Sequence, residues 1–115
     1  MADQGIVCSV DPLASGIGRR VLAEGGNAAD AAVAAGAALT IVAPHLCGLG
    51  GDLFALVHQP GDAAPSSLNA SGRAGSGADA AALRAEGRTS MPFRDDLRSV
   101  TVPGCVDGWL ALHGR

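Results

Sequence analysis

The sequence predicts an α+β chain, and three consecutive stretches predict it. Ala28 to Val42 is an alanine-rich run with the composition of a buried helix. Pro44 to Phe54 (PHLCGLGGDLF) follows as a glycine turn, and Leu53 to Val57 (LFALV) then reads as an apolar strand. Glycine reaches positive φ without strain and leaves its amides open, so Gly48, Gly50 and Gly51 suit a tight loop lining a cleft.

Taken in order, Gly5 to Val10 is a short β-branched run expected to form a buried strand. Asp11 followed by Pro12 signals a helix start, with Leu13, Ile17, Val21 and Leu22 on one face and Gly25 and Gly26 as its stop. Asn27 is placed to cap the next helix, with Asp30 at its third position as the capping partner, and the helix runs to about Val42. Its small side chains let other backbone approach on more than one side, which makes it central. Leu53 to Val57 does not alternate, as expected of a strand covered on both faces, and pairs with Ser67 to Ala70 in an antiparallel hairpin. Beyond it lie a Gly/Ser loop, Ser71 to Ala78, carrying Arg73, a short surface helix at Asp79 to Glu86, and a polar loop, Gly87 to Arg98. A short strand at Ser99 to Val102, a turn at Pro103 and Gly104, and a helix from Cys105 to His113 complete the chain, with Val106, Trp109, Leu110 and Leu112 as the apolar residues of that helix.

Composition removes several classes of function. A net charge of −3 with scattered basic residues gives no footprint for nucleic acid or an anionic membrane, so neither is expected as a partner. All eight basic residues are arginine, which excludes Schiff-base lysine chemistry and a P-loop lysine from this stretch. Cys8, Cys47 and Cys105 are widely spaced and show neither a disulfide framework nor a zinc-ligand pattern. No cofactor or metal is expected. The start, MADQGIVCSVDP, lacks the basic and apolar regions of a signal peptide, and a cytoplasmic location is expected, or a periplasmic or secreted one if the chain starts upstream. Aromatics are 3 % of residues, so large core side chains are scarce and the isolated chain is expected to be marginal.

The polar groups expected to converge are Arg73, the amides of Gly48 to Gly51, Asp52, His45 and Cys47. A Cys47 nucleophile with His45 as base fits poorly, because residues two apart seldom meet productively, and these residues have no recognised metal-ligand spacing. Arg73 is the stronger candidate: a guanidinium makes two parallel hydrogen bonds to a carboxylate, a geometry suited to an amino-acid α-carboxylate. A solvated loop arginine is the plainer alternative.

Five segments, in order and along nearly the whole chain, resemble the N-terminal part of the γ-glutamyltransferase (γ-glutamyltranspeptidase) family. DPLAS (11–15) resembles the HPLAS-type helix start, with Asp11 in place of His, and GGNAADAAVAA (25–35) resembles the GGNAVDAAVAA run. PHLCGLGGDLF resembles the PH, GxGG and Phe segment, SGRA (71–74) the GR loop, and VPGCVDGW (102–109) the VPGxVxGW segment. The resemblance implies an αββα sandwich of the N-terminal-nucleophile (Ntn) hydrolase type, of which residues 1–115 would be a single incomplete domain at the beginning of the large subunit. Its partners would be a γ-glutamyl small-molecule substrate, the remainder of the large subunit, and the small subunit cut from the same precursor.

The same resemblance implies that the nucleophile is a threonine at the small subunit's new N-terminus; Thr40, Thr89 and Thr101 lie in large-subunit context and do not take that role. No catalytic residue is therefore expected here, and the chain alone is expected to be inactive. Arg73 matches the family arginine that binds the donor's α-carboxylate. Asp52, where many members have a further glycine, and AGSGA, in place of ETAP after the arginine, depart from the family pattern; both resemble a transferase-like branch with donors other than glutathione. The expected function is γ-glutamyl transfer or hydrolysis. The alternatives are a related Ntn acylase or small-amide hydrolase, and a non-catalytic small-molecule binding module.

Overall fold

Two helices packed through their smallest residues begin the described part of the chain. The computed structural model describes residues 5–92 and 96–114. Residues 1–4, 93–95 within the expected polar loop, and Arg115 lie outside the described residues. The first helix, α1 (Pro12–Ala23), begins where the sequence signals it: Asp11 is extended, and its carboxylate accepts from the amides of Leu13 at 2.8 Å and Ala14 at 3.3 Å. The second, α2 (Ala28–Val42), opens with the expected capping box, Asn27 and Asp30 each accepting the other's amide at 3.0 Å.

These helices meet along Ala14 and Gly18 of α1 and Ala31 and Ala35 of α2, all buried. A Cβ built on Gly18 would lie 3.0 Å from the Ala31 carbonyl oxygen, so the backbones are nearly in contact. The expected apolar face of α1 is thereby corrected. Val21 and Leu22 are half-buried, but Leu13 is 66 % exposed, because close approach selects the small-residue stripe one position over.

Strands β1 (Leu53–Val57) and β2 (Ser66–Ala70) form the expected antiparallel hairpin, in register from Leu53 opposite Ala70 to Val57 opposite Ser66. One face receives the last long helix, counted here as α4 (Cys105–His113), after a short α3 (Ala80–Ala85). Gly108 of α4 sits so close to this face that a Cβ there would lie 2.8 Å from the Ala70 Cβ and 3.0 Å from Leu53 Cδ2. Coverage on both faces, the expectation for β1, is corrected: burial alternates along the strand, and Phe54 and Leu56, 65 % and 79 % exposed, point away from α4. Their contiguous apolar spelling records a face that this chain does not itself cover.

Two further strand expectations are corrected. Gly5 to Val10 runs irregularly beside α1 and α2, lining a cavity with Leu22, Ala31 and Ala35, and pairs with no strand among the described residues. Ser99 to Val102 contributes a single antiparallel bridge, Thr101 to Ala74. Within α4, burial falls on Cys105, Gly108 and Leu112, while Val106 and Leu110 are exposed and Trp109 lies against Gly36 of α2. His113 closes the far end of α4 onto α2, its Nδ1 2.9 Å from Asp30 Oδ1. The Asp30 carboxyl is held below its ordinary range by the Asn27 amide first and His113 second.

Much apolar surface stays uncovered. The accessible surface is 8297 Å², against about 5,700 Å² for a folded monomer of this mass. Among the described residues the buried apolar ones are Ala14, Ala31, Ala35, Ala43, Leu83, Cys105 and Leu112, which is the core of an element layer more than of a closed domain.

A charge cluster ties the end of α3 to the turn of 3₁₀ helix at Leu97–Ser99. Arg98 donates to both carboxylate oxygens of Glu86, at 2.8 and 3.1 Å, and grips Asp96 through Nε and one terminal nitrogen. Arg88 lies 3.9 Å from Asp96. Hydrogen bonds from the Arg98 side chain, then from its amide, lower the Asp96 carboxyl to about 2, and the paired carboxylates raise the Arg98 guanidinium above its ordinary range. Because the folded value lies below the ordinary 3.8, this contribution is complete above about pH 4 and disappears as pH falls towards 2. In the full-length protein, the stability advantage of wild type over Asp96→Asn is therefore expected at pH 6 and should shrink between pH 4 and 2. Denaturant titrations across that range check it; an advantage independent of pH contradicts the pairing.

Gly72 fixes the loop that follows β2. It has φ +81°, and a Cβ there would collide with the Val102 carbonyl oxygen. Both penalties fall on backbone that cannot swing aside, so Gly72→Ala is expected to destabilise the full-length protein by about 1–3 kcal/mol, read as a lower denaturation midpoint. An unchanged midpoint would show that this crossing is not preserved in solution.

Candidate functional site

Arg73 follows directly from the Gly72 crossing. Val102 donates its amide to the Arg73 carbonyl at 2.8 Å, and the Ala74–Thr101 bridge holds the next residue. The backbone of Arg73 is thus bracketed while its side chain is exposed, and no hydrogen bond or ion pair engages the guanidinium among the described residues. It lines an open cavity of about 540 Å³ between the end of β2, the Val102–Gly104 turn and the first turns of α4. That volume falls in the range of small-molecule sites.

Gly104 forms the floor. A Cβ there would collide with the Ala70 carbonyl oxygen, so the turn presses directly onto the end of β2. Around the cavity, Asn69 accepts the Ser71 amide at 3.0 Å, and the Ser71 hydroxyl donates to the Gly72 carbonyl at 3.5 Å. Asp107 also lines it, from the first turn of α4, and has no side-chain partner among the described residues. Sequence alone does not single out Asp107, since an acid in a first helical turn is ordinary; only the fold brings it to the same cavity as Arg73.

The expected convergence of Arg73 with the glycine turn is corrected in detail. Cys47, Gly48, Gly51 and Asp52 line a separate cavity of about 340 Å³, with Cys105 and Trp109, while His45 lines neither. Between the two cavities runs the start of α4. The Gly51 carbonyl accepts from the amides of Gly104 at 3.2 Å and Cys105 at 3.1 Å, so the glycine turn acts chiefly as the seat of that helix. The Cys47 thiol is exposed and lies 3.9 Å from the Ala43 carbonyl. Burial, and secondarily Cys47 and Asp52, push the Cys105 thiol up, which disfavours its nucleophilic thiolate. No group of three metal-ligating side chains occurs among the described residues.

The threonines are engaged elsewhere. Thr40 donates to the Ala37 carbonyl at 2.8 Å within α2, Thr101 donates to the Ser71 carbonyl at 3.3 Å, and Thr89 lies beside α3. Among the described residues the arrangement offers an exposed guanidinium beside a cavity, and none of the three threonines lines that cavity.

Comparison with known proteins gives the family. The chain is 43 % identical over 113 residues to the glutathione hydrolase-like YwrD proenzyme of Bacillus subtilis, which covers 96 % of this chain and 21 % of that protein. It is 41 % identical over 111 residues to the oxamate amidohydrolase proenzyme of Klebsiella pneumoniae, covering 96 % and 20 %. The chain therefore spans about a fifth of the length of these curated relatives. Among solved structures, the γ-glutamyltranspeptidase of Helicobacter pylori superposes with a TM-score of 0.74 at 34 % identity, over 97 % of this chain and 32 % of that one. No helix among the described residues is long and apolar enough to cross a membrane. Since the gamma-glutamyltranspeptidase family model matches residues 14–115, nearly the whole of what is folded here, the chain belongs to the γ-glutamyltranspeptidase family.

Proposed function

We propose that this chain is the donor-gripping beginning of a γ-glutamyl transferase or hydrolase, with Arg73 holding the donor's α-carboxylate. The observation that carries the reading is the Arg73 guanidinium, without a partner among the described residues, on a cavity of about 540 Å³, its carbonyl held by the Val102 amide. A bidentate grip there would leave the γ-amide of the donor extended towards a nucleophile supplied by another part of the protein.

In this reading the complete protein is a precursor of the Ntn hydrolase type, an αββα sandwich in which residues 1–115 form one incomplete domain of the large subunit. Self-cleavage exposes a threonine whose α-amino group takes the hydroxyl proton. The threonine oxygen attacks the γ-carbonyl, the C–N bond breaks, and the proton passes to the leaving amine. Water or an amino acid then displaces the γ-glutamyl group from the ester. Residues 1–115 supply binding without the nucleophile, so alone they are inactive. Both relatives are proenzymes, which supports a processed precursor.

A second reading keeps the machinery and changes the donor to another small amide. The Klebsiella relative, an oxamate amidohydrolase, favours it, since oxamate places a carboxylate beside the amide and Arg73 would hold that carboxylate instead.

The complete natural gene product, expressed and left to mature, is expected to give two fragments by intact mass, the smaller beginning with threonine. A single uncleaved chain would remove the processed-enzyme reading. In the matured protein, Arg73→Lys is expected to raise KM for γ-glutamyl amides by at least about tenfold, because a point ammonium cannot reproduce two parallel hydrogen bonds. Steady-state kinetics on a γ-glutamyl anilide read this directly, and unchanged kinetics would take Arg73 out of the site.

A further inference from the structure

We propose that Cys47 and Cys105 form a reversible disulfide that staples the start of α4 to the glycine turn, which makes this joint responsive to peroxide. Both thiols line the cavity of about 340 Å³ beside Trp109. The register of α4 on α2 brings them to the same place. At one end of that pair, His113 of α4 meets Asp30 of α2 at 2.9 Å. One turn back along α4, Trp109 lies against Gly36, its Nε1 3.4 Å from where a Cβ there would be. The two helices are therefore antiparallel, and Cys105, a further turn back on the face of Trp109, falls level with the end of α2. The Cys47 thiol is at that end, 3.9 Å from the Ala43 carbonyl.

The backbone makes the same connection. The Gly48 carbonyl accepts the Gly51 amide at 3.2 Å, and the Gly51 carbonyl accepts the Cys105 amide at 3.1 Å. Cys47 is also among the groups that push the Cys105 thiol up, behind burial. Cys8 stands apart, lining a different cavity between α1 and α2.

Exposure divides the roles. Cys47 is exposed and meets the oxidant; Cys105 is buried and is withheld from it. The Cys47 thiolate attacks one oxygen of a hydroperoxide, the O–O bond breaks, and Cys47 becomes a sulfenic acid as water or an alcohol leaves. The Cys105 sulfur, giving up its proton, then attacks Cys47 Sγ. The S–S bond forms, the S–O bond breaks, and the hydroxyl leaves with that proton as water. Two thiols are oxidised and one peroxide is reduced; a dithiol reverses the bond by exchange. In the reduced protein the start of α4 is held on the turn by the Gly51 hydrogen bonds, and in the oxidised protein by a covalent bond as well.

A disulfide joins only residues whose Cα atoms lie within about 7 Å, so its formation reads this placement directly. The full-length protein, treated with hydrogen peroxide, alkylated in denaturant and digested, is expected to yield a linked peptide pair containing Cys47 and Cys105, with Cys8 alkylated. Its denaturation midpoint should rise on oxidation, and dithiothreitol should reverse both changes. In Cys105→Ser, Cys47 should pass on to sulfinic acid with no linked pair and no rise in midpoint. Cys47 and Cys105 both alkylated after oxidation, Cys47 linked to Cys8 instead, or a linked pair that leaves the midpoint unchanged overturns the proposal. The wild-type map stands even if the variant folds poorly, and since no substrate is used, the outcome is independent of the γ-glutamyl reading.

Discussion

The carbonyl oxygen of Gly51 is where the hairpin and α4 are joined. A helix begins with amides that have no partner inside it, and Gly104, at the cap of α4, has no side chain to supply one. Gly51 supplies the acceptor for both the Gly104 and Cys105 amides. Two residues beyond Gly51, β1 begins, so the bond fixes where α4 lies on the hairpin. Gly104 in turn touches the end of β2 at Ala70, and Gly72 passes against Val102. Helix start, both strands and the arginine loop are thus set by a few backbone contacts within a small volume. Side chains would have kept those backbones apart.

The same economy of side chains explains what the chain lacks. Helices joined through alanine and glycine approach closely but bury little area, and hydrophobic stabilisation follows area. The large apolar groups, among them Phe54, Leu56 and Leu13, are left at the surface. On the hairpin they lie opposite α4, on the face that a second sheet would cover in the proposed sandwich. The closeness that positions the site and the exposure of the large residues are two results of one composition.

Local signals were legible in the sequence, and coverage was not. Asp11–Pro12 and Asn27 with Asp30 each gave a helix boundary, because caps act over three or four residues, and the Pro103–Gly104 turn marked the start at Cys105. The hairpin was readable for the same reason. Which face of α1 packs, whether Gly5 to Val10 finds a partner strand, and whether β1 is covered twice all depend on residues far away or on other parts of a longer protein. Arg73 could be picked out by its chemistry and by resemblance. Its separation from Cys47, Gly48 and Asp52 could not, since that follows from α4 being laid between them.

The placement of Arg73 also bears on how a donor would be held. A carboxylate grip acts at a distance from the amide to be broken, and changes little between ground and transition state. Its first effect is therefore on binding, with catalysis gaining only through position. In a γ-glutamyl donor two methylenes separate the α-carbon from the γ-carbonyl, so one anchor, however good, leaves the α-carbon free to turn and the carbonyl to swing. A second anchor on the same carbon removes that rotation. Since the arginine loop is seated by the Val102 amide, the Arg73 anchor would be held by backbone, so that little reorganisation is needed there when the donor arrives.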